Sequence, residues 1–167
     1  MEEDEYKSTY NELATVRCVF EKTLTSHLAN QQVKCHLAEH FCLADREGYS
    51  CNNALLSSKC SEVLKKLREN STFVLKLHEI SGPLPHNMEI RVQAGGMLGL
   101  SKLLSKPEEV KSEIEEISAI QPAIPDISQI ISQAEKKYGE IDNLPFNEIV
   151  QAIVQFQGRR RRQRESK

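Results

Sequence analysis

This 167-residue chain has no tryptophan, and aromatic residues amount to only 5% of it. A core without many aromatic rings has to be filled by Leu, Ile and Val. No apolar run approaches the roughly 20 residues that a bilayer-spanning helix needs. The N-terminus carries Glu2, Glu3, Asp4 and Glu5 and lacks the basic and apolar regions of a secretory signal. A cytoplasmic protein with reduced thiols is therefore expected. The five cysteines, an odd number, also argue against a disulfide framework. There is no CxxC pair, no HExxH, and neither of the glycine-rich phosphate-binding spacings GxGxxG and GxxxxGKS/T. No nucleophile, base and oxyanion-donor set can be recognised, so no catalytic residue is assigned.

What is present suits a folded chain: 39% apolar and 28% charged residues, with a net charge of −2. That charge is unevenly placed, because the acidic start is balanced by Arg159, Arg160, Arg161, Arg162 and Arg164 at the other end. Such a basic run is suited to an acidic partner, an anionic surface or nucleic-acid phosphates. No aromatic residue is interleaved with it, so base stacking is not indicated.

Periodicity predicts an all-α fold, an N-terminal three-helix bundle followed by several short helices. Tyr6, Tyr10, Leu13, Val16, Phe20 and Leu24 recur at helical steps over 4–29, up to a break at Asn30. Val33, Leu37 and Phe41 suggest a second helix over 31–46, ended by Gly48. A third begins at Asn52 or Asn53, both good capping residues, and reaches about residue 77. Ser81-Gly82-Pro83-Leu84-Pro85 is a firm break, and residues 88–92 alternate like a short extended segment. Gly95-Gly96 reads as a turn into a short helix over 97–104. Further helices are expected over 107–120, 127–138 and 145–156. The resulting organisation is a cysteine-bearing domain over 1–105, a helical extension over 106–157 and a disordered basic tail over 158–167. The amphipathic helices of the extension offer a face for a protein partner or a second copy of the chain.

The most specific signal is the confinement of all five cysteines to positions 18–60, which leaves the last 107 residues with none. Cys35, Cys42, Cys51 and Cys60 follow one another at spacings of seven, nine and nine, with His27, His36 and His40 in the same stretch. Thiolates and imidazoles are the ligands of transition metals and iron–sulfur clusters. Structural zinc sites draw on short ligand pairs, whereas ligands spread over separate elements suit the four corners of a cluster. On a helix, Cys35 and Cys42 stand roughly 10.5 Å apart along the axis, too far to share one zinc ion. The expected ligands are Cys18, Cys42, Cys51 and Cys60, with Cys35 as alternate fourth. His36 and His40, at i and i+4, complete a mixed Cys/His site as the other possibility. The function that follows is a small metal-binding protein, carrying an iron–sulfur cluster or alternatively zinc, in electron transfer or sensing. The competing reading is a cofactor-free helical adaptor whose basic tail contacts an acidic partner or nucleic acid.

Overall fold

A computed structural model describes residues 3–26, 29, 31–80, 82–105 and 124–156. The helix expected over 107–120, the arginine tail, His27 and the breaks at Asn30 and Ser81 lie outside the described residues. The described fold is mixed. Helices α1 (Glu3–Leu13) and α2 (Glu21–Thr25) precede a two-stranded antiparallel sheet of β1 (Ala38–Leu43) and β2 (Arg46–Cys51). Helices α3 (Ala54–Ser71), α4 (His86–Ser105), α5 (Ile127–Tyr138) and α6 (Phe146–Gln155) follow, with a 3-10 turn at Ile141–Asn143.

The all-α expectation, with its N-terminal three-helix bundle, is therefore corrected at two places. The first predicted helix stops at Leu13. Beyond it the chain extends, and Arg17 pairs with Ser50 in an antiparallel bridge. The backbone N–H of Cys18 donates to Tyr49 O at 3.0 Å, and that of Cys51 donates to Val16 O at 2.7 Å. Thr15 and Val16, both β-branched, sit at the break, where an extended backbone suits them better than a helix. The second predicted helix is instead the β1–β2 hairpin, in which Phe41 lies opposite Gly48. A Cβ at position 48 would stand 2.4 Å from a Phe41 ring carbon, so glycine is needed there by packing. Tyr10 then rests edge-on against Phe41, with centroids 5.2 Å apart, and holds α1 on the sheet.

Helix α3 starts as the capping residues foretell: Asn53 Oδ1 accepts from Leu56 N at 2.9 Å. Residues 88–92, read as extended, belong to α4, and so do Gly95, Gly96 and Gly99. Those glycines allow close approach. A Cβ on Gly99 would meet Ala152 Cβ at 2.8 Å, and one on Gly95 would meet Ile153 Cα at 2.9 Å. Two helices packed this tightly bury Ile149 and Ile153 completely, in one core with Phe20, Val33, Leu67, Met97, Leu100 and Ile127. Helices α5 and α6 place Ile127, Ile130, Ile131, Ile149 and Ile153 in this core, with Val154 of α6 left exposed. Among the described residues no helix is long and apolar enough to cross a membrane.

Candidate metal centre

The hairpin and the extended arm before it decide where the cysteines go. Because Arg17 faces Ser50, Cys18 lies opposite Tyr49, and Tyr49 shares a sheet face with Cys51 two residues on. Cys18 and Cys51 are therefore diagonal neighbours on one face, a relation that spans about 7–8 Å in antiparallel sheets. Cys35 reaches the same end of the hairpin from the other side. Ala38, the partner of Cys51, donates its N–H to Cys35 O at 3.3 Å, and Asn52 N donates to Leu37 O at 2.9 Å. Lys34 in turn exchanges backbone bonds with the chain before α5, accepting from Ile127 N at 2.8 Å and donating to Pro125 O at 3.0 Å. Cys60 comes from the second turn of α3. Ser57, one turn earlier on the same face, donates its hydroxyl to Arg17 O at 3.5 Å and ties that turn to the arm carrying Cys18.

Four thiols thus arrive from four segments: the arm, the turn before β1, the end of β2 and α3. Cys18 and Cys60 are buried, and Cys35 and Cys51 are half-buried. Burial pushes Cys18 and Cys60 from an ordinary 9.0 up to about 12, and it raises Cys35 as well. Neighbouring thiolates add to each shift. Cys35 and Cys51 act on Cys18, Cys51 acts on Cys35, and all three act on Cys60. Backbone N–H groups oppose the shifts, that of Phe20 at the Cys18 sulfur and those of Leu37 and Ser128 at the Cys35 sulfur.

Cys42 is not among the four. It pairs with Glu47 near the hairpin turn, four residues along β1 from the pair that holds Cys51. At the rise of a strand that is roughly 13 Å away. It is exposed, and its thiol donates to Ala44 O at 3.5 Å. The histidine pair dissolves with the helix that would have aligned it. His40 lies in β1 against Tyr49, with ring centroids 5.0 Å apart. His36 turns the other way, its Nδ1 at 3.0 Å from both Asp126 Oδ2 and Ser128 Oγ. Burial pushes the Asp126 carboxyl up, but hydrogen bonds from Ser128, His36 and Gln129 outweigh it and leave a net lowering. Among the described residues no group of three or more His, Cys, Asp or Glu side chains is arranged to hold a metal ion.

The coupled thiols make the metal-free protein sensitive to alkali. The folded pKa values of Cys18 and Cys60 lie above their ordinary 9.0. Their contribution to stability is therefore complete below about pH 9 and is lost as the pH climbs toward 12. The loss is on the order of 4 kcal/mol per thiol once both ionise. Urea midpoints of the reduced, metal-free protein should be level near neutrality and fall steeply between about pH 9 and pH 11. A level profile across that range would mean the two thiols are not buried as described.

Comparison with known proteins adds no guide to function: no protein-family model, curated protein or solved structure matches this chain.

Proposed function

We propose that this chain is a small iron–sulfur protein whose cluster is held by Cys18, Cys35, Cys51 and Cys60, working in electron transfer or sensing in a reducing compartment. One observation carries the reading: the Arg17–Ser50 bridge, the Ala38 N–H bond to Cys35 O and the Ser57 hydroxyl bond to Arg17 O bring the segments carrying four cysteines to one end of the hairpin. Four cysteines are a full ligand set for either common cluster type. Ligands drawn from separate elements, with no short CxxC pair, suit the corners of a cluster better than tetrahedral zinc. Burial raises the pKa values of Cys18 and Cys60, so ligation would have to displace their protons and would be favoured by rising pH. When bound, an iron–sulfur cluster supplies one-electron redox chemistry. The protein's part is to fix the four corners and to keep Cys18 and Cys60 out of water.

Purification of the full chain without oxygen, followed by iron, sulfide and zinc analysis, tests this. Brown protein with iron and acid-labile sulfide in equal amounts is the expected result. Colourless protein with stoichiometric zinc would replace the cluster by zinc on the same cysteines. Protein with neither metal, even after reconstitution with iron and sulfide, would reject the metal centre.

A further inference from the structure

A cavity of about 420 Å³ opens between α3 and α5, within the size range of small-molecule sites. Its α5 wall is Gln129, Ser132, Gln133 and Lys136, spaced at three, four and seven residues and so on one helix face. Lys59 and Leu56 of α3 stand across from them. The charge balance of this cavity differs from that of its neighbours. In the cavity beside α1, Lys7, Arg17 and Arg46 are met by Glu21 and Glu47, and in the one beside Cys18, Arg17, Lys22 and Arg68 are met by Glu21 and Glu89. Between α3 and α5, no carboxylate lines the cavity among the described residues. Glu135, outside the lining, pairs with Lys59 at 2.6 Å. Lys136 has no ion-pair partner among the described residues. The Asp126 and Ser128 contacts engage Nδ1 of His36, leaving Nε2 as the ring nitrogen available at the cavity wall.

We propose that this cavity binds a small organic anion, a carboxylate or phosphate ester, with its charged group on Lys136. Gln129 and Gln133 supply amide donors and acceptors to its polar edge, and Leu56 takes its carbon skeleton. A concave wall with Lys136, amides and an apolar patch is complementary to such a molecule, and the nearby Glu135 and Asp126 carboxylates are already engaged by Lys59 and by His36 and Ser128. The site goes beyond the metal reading and stands without it. His36 and Leu37 nevertheless carry its wall next to Cys35, so an occupant would be close to that corner of the thiol group.

Calorimetric titration of the full chain with succinate, glycerol 3-phosphate and inorganic phosphate tests the site. Saturable binding of at least one organic anion is expected, weakened at least about tenfold by Lys136→Glu, while Lys7→Glu at the α1 cavity leaves it unchanged. Lys136 is exposed, so its replacement leaves the core intact. Three outcomes would each overturn the proposal. They are no saturable binding of either organic anion, equal weakening by both variants, and inorganic phosphate binding as tightly as the better organic ligand. Because metal content is measured separately, failure here leaves the cluster reading standing, and failure of the cluster leaves this one standing.

Discussion

Cys60→Ser should strip the protein of its cluster, while Cys42→Ser should leave iron content and visible absorption at the level of the unmodified chain. Cys60 is buried on α3, one turn beyond the serine that bonds the arm carrying Cys18, and in the proposed centre it would supply one of the four corners. Loss of an outer-shell partner alone costs about 10–100-fold in metal affinity, and loss of a ligand should exceed that. Serine is close in size, and within a helix its hydroxyl can bond the carbonyl one turn back, so the variant should still fold. Circular dichroism with a chelator present would then match for all variants, because the comparison is between metal-free folds. Cys42 is exposed at the far end of the hairpin, and its replacement touches nothing buried. Cys35→Ser is the discriminating third variant, since the sequence favours Cys42 as ligand and the fold favours Cys35. Equal loss of iron from Cys42→Ser and Cys35→Ser would contradict the assignment of corners.

That exchange of Cys42 for Cys35 shows what was legible before the fold was known. The confinement of cysteines to 18–60 singled out the region around the hairpin, and the capping residue Asn53 placed the start of α3 and with it Cys60. Helices α5 and α6 run where apolar periodicity put them. The hairpin was missed because Val33, Leu37 and Phe41 also satisfy the helical period, and because the turn carries no glycine. Ala44 adopts φ 56° there, a conformation that sequence rules reserve for Gly, Asn or Asp. With residues 31–46 on a helix, Cys42 stays near the other thiols; on a strand it is carried to the turn. The signal that could have found the sheet was Gly48-Tyr49 opposite His40-Phe41, a register visible only once the two segments are paired. Gly95 and Gly96 misled for a related reason. Glycine weakens an isolated helix by about 1 kcal/mol, yet here the missing side chain at Gly95 lets α6 reach α4, and that at Gly96 makes room for Leu67 of α3. Local propensity was overruled by packing against residues distant in sequence.

The second large effect lies beside the thiols. Arg68 of α3 holds Glu89 of α4 with two hydrogen bonds, Nε to Oε2 at 3.2 Å and Nη2 to Oε1. Glu89 is only 1% exposed. Gln93 donates to Glu89 Oε1 at 2.7 Å and to Val19 O at 3.2 Å, and accepts from Thr23 Oγ1 at 2.8 Å. This network joins α2, α3, α4 and the residue after Cys18, and it borders the same cavity as Cys18. Arg68→Ala would leave a carboxylate in the core with a single amide donor. Orphaning a buried charge in this way costs about 3–5 kcal/mol, and the lower end applies here because the Arg68 side chain is 37% exposed and water can replace part of it. Urea unfolding of the metal-free protein should show that loss, with an unchanged slope. Adding Glu89→Gln to Arg68→Ala removes the orphaned charge and should restore more than half of the lost stability. A cost for Arg68→Ala below about 1 kcal/mol, the value of an ordinary surface pair, would show that Glu89 is not sealed in the core. The same variant also reports on the arm. Val19 is fastened through Gln93, so loosening the network should lower iron retention even though none of the four cysteines has been changed.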